Sequence, residues 1–394
     1  MFIRKYSHPY PHLFRSFFCQ FFALALLCLL NGCGMMMNNS MPPGMTASFA
    51  FVSNTGSGSV SAFAVSTTGM LTPVSGSPFM AGAGAEFMAF DAVHKLLFVS
   101  NQNGNTVSAF SVNTSTGLLA AIPGSPFITG SRPIGIAVDP MGRFVFVANQ
   151  AGNSISVFTI GANGSLTPIA GSPFAASSPY NLIVSPAGTT LFVTNFPDNM
   201  VSDLNTVSAF QIGNDGSLAA VSGSPFATSS NAGFASSIGL ATDPAGKFLF
   251  VGDHMAQAIV PFSISSTGSL TAVSALPASA PSCSVSCHNN PLRLTVHPNS
   301  QFAYASNVQA GTVSAFRITN GILSPVAADI GTGQHPFGVA LDPTGAFLFA
   351  VNNVDNTISA FSVNMTTGAL SVVSGSPFSG TLNAPTDIVV VAMQ

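Results

Sequence analysis

Between residues 132 and 174 the apolar residues gather into four short runs, parted by residues that favour turns. Ile134 to Val138 is a compact apolar run that suits an inner strand. Asp139-Pro140-Met141-Gly142 follows; proline presets φ at the second place of a type I turn and glycine relaxes the exit. Phe144 to Val147 is apolar at every position. A strand with one wet face would alternate, so this one is predicted to be covered on both faces. Asn149 to Asn153 is a polar loop, Ile155 to Phe158 a third strand, Asn163-Gly164 a turn, and Leu166 to Ala170 a fourth strand. Gly171-Ser172-Pro173-Phe174 is expected to end that strand, because proline cannot donate to a ladder.

The unit repeats. Its second strand ends at Asn54, Asn101, Asn149, Asn195, Asp253, Asn307 and Asn352, and its third at Phe63, Phe110, Phe158, Phe210, Phe262, Phe316 and Phe361. Gly-Ser-Pro-Phe closes at Phe79, Phe127, Phe174, Phe226 and Phe378, and is absent from the fifth and sixth copies. A period of roughly 45 to 58 residues fits one four-stranded propeller blade with variable loops. The first copy starts at Phe49 without an inner strand. The chain finishes with Pro385-Thr386-Asp387-Ile388-Val389-Val390-Val391, a match for Pro133 to Val138. The predicted fold is therefore all-β: a seven-bladed β-propeller over residues 49–394, four antiparallel strands per blade. Its C-terminal strand completes the first blade and leaves no open edge there. An open β-solenoid would not explain this matching deficit and surplus.

Only 5% of the 394 residues are charged, against about 25% in a typical globular domain. The absence of tryptophan argues against WD-type repeats and tryptophan-docked quinoprotein propellers. Without a basic face, a nucleic-acid partner is not expected. Residues 1–33 read as an export signal: Arg4, Lys5 and Arg15 precede the apolar stretch Phe17 to Leu30. Leu30-Asn31-Gly32-Cys33 resembles a bacterial lipobox, which would make Cys33 a lipid-bearing first residue. The alternatives are a plain secretory leader or an uncleaved anchor. Residues 34–48 read as a flexible tether. The expected location is outside the cytoplasm, lipid-anchored to the bacterial cell envelope, with the membrane met only through the anchor and the protein monomeric.

Cys283 and Cys287 remain in the exported part, and in an oxidising compartment a small disulfide-closed loop is the leading reading. Cys287-His288 has the wrong spacing for haem attachment, and zinc lacks two further ligands. No cofactor or metal is expected.

In each repeat the first strand runs toward the Asp-Pro-x-Gly turn and the second runs back. Fourth-to-first connections and second-to-third loops therefore share one face. The insertions Phe196 to Asn205, Ser229 to Ser236 and Pro277 to Asn290 all fall on that face, a mark of the binding side in repeat proteins. Arg132 and His335 share a position just before the inner-strand proline, with Asn290 their equivalent in the sixth copy. Arg293 and Asp387 share another, where other copies have Gly135, Gly239, Gly338 and Asn181. Glu86, the sole glutamate, opens the second inner strand. An apolar channel with a few convergent polar groups is a default site. Each group also has a plainer role: Arg293 and Asp387 as a pair across the channel mouth, His335 as a solvated loop residue, Glu86 at the surface. His94 and His297 belong to turns on the opposite face.

Leu191-Phe192-Val193-Thr194-Asn195 and Phe146-Val147-Ala148-Asn149 resemble the YVTN-type repeat. With the Asp-Pro-x-Gly turns and the Val-Ser-Ala-Phe strands, residues 49–394 resemble the seven-bladed lactonase propeller family, which includes bacterial 6-phosphogluconolactonase. The resemblance implies lactone hydrolysis at the channel mouth by histidine, glutamate and arginine. Here the matching positions are His335 or His288, Glu86, and Arg132 with Arg293; Asn290, Asn181 and Asp387 would help to bind substrate. His335 or Glu86 would activate water, and an arginine would steady the oxyanion. Few cations are present to bind a sugar phosphate. The competing reading is a non-catalytic envelope scaffold that binds glycan or protein through its loop-rich face, the loop Pro277–Asn290 above all.

Overall fold

The structure is a computed structural model that describes residues 46–196, 206–228, 237–254, 256–274 and 291–393. The expected leader with Cys33, most of the expected tether, the pair Cys283 and Cys287, His288, Asn290 and nearly all of the three insertions lie outside the described residues. No α-helix occurs among the described residues.

Seven antiparallel sheets follow one another along the chain. Blade 1 holds Thr46–Asn54, Ser59–Ser66 and Leu71–Pro73, with Pro385–Ala392 as its innermost strand. Blades 2 to 7 begin with the inner strands Ala85–Asp91, Pro133–Val138, Pro179–Val184, Ser237–Thr242, Pro291–Val296 and Pro336–Leu341. The closing strand lies antiparallel to the first, with Ile388 opposite Val52 and Val391 opposite Phe49. Circular closure therefore stands as the end sequences predicted.

Second strands carry the core. Every residue of Phe144–Asn149 is buried, in accord with its unbroken apolar run. One ring per blade is fully buried at the same position: Phe51, Phe98, Phe146, Phe192, Phe250, Tyr304 and Phe349. Each such side chain contributes about 1.5–3 kcal/mol through burial. Tyr304 keeps its hydroxyl satisfied by donating to Gly368 O at 3.0 Å.

The asparagine that ends the second strand is a tie to the third. Its Nδ2 donates to Ser61, Ser108, Ser156, Ser208, Ser314 or Ser359 in six blades, at 2.7–2.9 Å. Blade 5 has Asp253 instead, and Val260 stands where the others have serine.

The fourth strand departs from expectation. Gly-Ser-Pro-Phe does not end it but interrupts it: Leu166–Pro168 and Phe174–Ala175 both pair with Ser154–Ile160. The serine bridges the gap, since Ser172 Oγ accepts the Val157 N–H at 2.9 Å. The same bond recurs at Ser77, Ser125, Ser224 and Ser376. A side-chain oxygen thus substitutes for the ladder partner that the detour removes.

Candidate functional site

Each inner strand carries a bulge at its entry. In blade 2, Ala85 faces Asn101 and Met88 faces Val99, so Glu86 and Phe87 share one partner, Ser100. A bulge turns an extra residue toward the channel. The third residue of each strand then forms one ring around the axis: Asp387, Phe87, Gly135, Asn181, Gly239, Arg293 and Gly338, in blade order 1 to 7.

Packing sets that order. A Cβ on Gly135 would lie 2.6 Å from Tyr180 O, on Gly239 2.9 Å from Leu292 O, and on Gly338 2.8 Å from Asp387 Cα. At these three places the backbone of the next blade leaves no room for a side chain, and that next blade brings one of its own. Seven is odd, so strict alternation has to fail once around the ring. It fails between blades 1 and 2, where Asp387 and Phe87 are neighbours. The second strands keep step with this order. Ser53, Ser100, Thr194 and Ser306 precede the terminal asparagine in blades 1, 2, 4 and 6, and their hydroxyls accept the N–H of Asp387, Phe87, Asn181 and Arg293 at 3.1–3.3 Å. The glycine blades have Ala148, Gly252 and Val351 there.

The polar groups gather at this seam. Arg293 reaches across from blade 6, its guanidinium 3.5 Å over the Phe87 ring. Its Nη2 lies 3.4 Å from Asp387 Oδ1, with both side chains 14% exposed. That contact is an ion pair without hydrogen-bond alignment, and Nη2 has no hydrogen-bond acceptor among the described residues. Asp387 Oδ2 accepts the Met88 N–H at 2.9 Å.

Glu86 sits beside them, 8% exposed. Thr55 Oγ1 and Gln102 Nε2 both donate to its Oε2 at 3.1 Å. Ser53 and Thr386 hold its backbone oxygen. Burial pushes the Glu86 carboxyl up to about 7, against the opposing pull of Thr55 and of the Arg293 charge. Burial also raises Asp387, again opposed by Arg293. One cation faces two carboxyls, and desolvation outweighs what it can offset.

Below lies a cavity of about 200 Å³ lined from all seven blades. Aliphatic residues such as Ile136, Leu182, Leu240, Leu294 and Val339 line it together with the polar side chains of Arg293, Asp387 and Asn181. Asn181 is engaged, donating to Ile238 O at 3.1 Å and accepting from Leu182 N at 2.9 Å.

The structure thus brings Glu86, Arg293 and Asp387 together; Arg293, Asp387 and Asn181 line the cavity, and Glu86 stands beside it. Arg132 and His335 stand apart at the rim, both exposed. Each occupies a strand entry in the left-handed region, φ 54° and 52°. Ser178 and Ala384 adopt the same backbone at the same repeat position, so that place answers to backbone geometry. The Arg132 charge still acts on Glu86, as the weakest of the influences on it. His94 bonds to Asp91 and His297 to Gly345 O at the opposite turns. Thr55, Gln102 and Phe87 escape a reading of the sequence alone. A signal for the seam is nonetheless present, in the serine or threonine before the asparagine that marks blades 1, 2, 4 and 6.

The sequence pattern of the family described as lactonase, 7-bladed β-propeller, matches residues 45–127, 121–204 and 241–383. A 6-phosphogluconolactonase of Formosa agariphila is 34% identical over 91 residues, 21% of this chain and 26% of that one; the match spans about a quarter of that relative's length. Among solved structures, a Bacteroides uniformis protein provisionally called a 6-phosphogluconolactonase superposes with TM-score 0.74 at 21% identity, covering 88% of this chain and 100% of that one. The periplasmic gluconolactonase of Pseudomonas aeruginosa superposes with TM-score 0.71 at 17% identity, covering 89% and 100%. At these identities the structural likeness is one of fold.

Proposed function

Because the chain belongs to the lactonase family of seven-bladed β-propellers, we propose that it hydrolyses a lactone at the seam between blades 1 and 2. Glu86 is the general base. Thr55 and Gln102 occupy Oε2, which leaves Oε1 to take a proton from water as the water oxygen bonds to the ring carbonyl carbon. A carboxyl that titrates near 7 suits this task at neutral pH. The oxyanion that develops faces Arg293 Nη2, which has an N–H to give. As the tetrahedral carbon collapses, the ring C–O bond breaks and Glu86 returns its proton to the leaving oxygen. Water and lactone become a hydroxy acid, and Glu86 is regenerated. Asp387 and Phe87 hold the guanidinium in place.

The observation that carries this reading is the chain's sole glutamate, buried where the Arg293 charge acts on it. The test is hydrolysis of lactones by purified protein. Glu86→Gln and Arg293→Ala should each lower kcat by about 100-fold or more, and Arg293→Lys should recover only part, since a point charge lacks the planar fork. Wild-type rates no faster than spontaneous ring opening would reject it. The lipobox-like Leu30-Asn31-Gly32-Cys33 supports a further part of the proposal, that the protein is anchored to the cell envelope through Cys33.

A further inference from the structure

We infer that the lactone accepted at this seam is uncharged, without a phosphate or other acidic substituent. The inference rests on the lactonase reading above and concerns which ring that site admits.

Every carboxylate residue of the chain lies after residue 45, whereas Arg4, Lys5 and Arg15 precede it. Six cations remain to serve the propeller. Lys95 and Lys247 are exposed at first-to-second-strand turns, the end of the blade away from the seam. Arg143 is held at another such turn by Asp139, at 2.7 Å. Arg317 lies over the Phe302 ring on a third strand and donates to Thr366 O. Arg132 is at the rim, and Arg293 alone is at the cavity.

Arg293 has little charge to spare. One face of its guanidinium is covered by Phe87 at 3.5 Å, and Asp387 stands 3.4 Å from Nη2. Glu86 adds a second carboxyl to the same cation. Burial raises both carboxyls above their ordinary range, and the Arg293 charge does not offset it. A phosphate dianion would need bidentate or multiple cationic contacts. Here it would meet one arginine already paired with Asp387, and the carboxyls of Asp387 and Glu86. A neutral ring brings no charge to desolvate. Its carbonyl needs a single donor, and the cavity of about 200 Å³ admits a small ring.

The test compares kcat/KM for glucono-δ-lactone, its 6-phosphorylated counterpart and δ-valerolactone, in wild type and in Asp387→Asn. The expected result is at least a tenfold preference for the neutral rings over the phosphorylated one, narrowed several-fold in Asp387→Asn as one negative charge is removed. Equal or better use of the phosphorylated lactone would overturn the inference and leave the lactonase reading standing. A preference untouched by Asp387→Asn would also overturn it, since charge would not be the discriminator. Turnover of none of the three would sink the lactonase reading and the inference together.

Discussion

Replacing Glu86 by glutamine should stabilise the propeller at alkaline pH and leave it unchanged in acid. Glu86 ordinarily titrates at 4.5 and is raised to about 7 in the fold, by burial first. Below about pH 4 the carboxyl is protonated in both folded and unfolded chains and contributes no difference. Between the two values the folded protein holds a proton that the unfolded chain releases, so stability falls as pH rises. Above about 7 the loss is complete and amounts to about 3 kcal/mol. Glutamine is isosteric, can still accept from Thr55 and Gln102, and carries no charge to desolvate. The melting temperature of Glu86→Gln should therefore exceed wild type by roughly 4 °C at pH 8, on the scale of unfolding entropy for about 350 residues. At pH 4 the two should coincide. Calorimetry of both proteins across that range reads the difference directly. Parallel curves, or a variant equally destabilised at both ends, would refute the claim that burial governs this carboxyl.

Two further outcomes follow from the ring and from the chain start. Gly135→Val should lower stability by about 3 kcal/mol, because its Cβ meets the Tyr180 carbonyl at 2.6 Å and a backbone atom cannot yield cheaply; Gly331→Ala, with nothing within 4 Å of its Cβ, is the neutral control, and equal melting shifts would contradict the packing argument. Labelled palmitate should enter the wild-type protein in a bacterial host and be lost in Cys33→Ala; label retained by the variant would exclude Cys33 as the anchor.

Much of the fold is legible in the chain because its signals are local. Phe144 to Val147 declares a doubly covered strand by composition alone, and Asp139-Pro140-Met141-Gly142 declares its turn. The closing strand is legible for a different reason: Pro385 to Val391 is a copy of an inner strand that the first repeat lacks. The interrupted fourth strand is not legible. Its resumption at Phe174 depends on Ser172 bonding to Val157, a contact that the proline in the same motif argues against when read by position. The seam is harder still. Arg293 and Asp387 are more than 90 residues apart, and only the curvature of the whole ring places the guanidinium over Phe87. Arg132 and His335 attract notice as rare polar groups, yet their shared place reflects a left-handed strand entry. Thr55 and Gln102 look like ordinary loop residues until the bulge points Glu86 at them.

The pH–rate profile of lactone opening tests the central claim most directly. After subtraction of spontaneous hydrolysis, wild-type kcat/KM for a neutral lactone should climb about tenfold per pH unit below neutrality and level off above about 7, while Glu86→Gln stays low and flat throughout. A profile without that rise, or a glutamine variant as active as wild type, would contradict the assignment of Glu86 as the base.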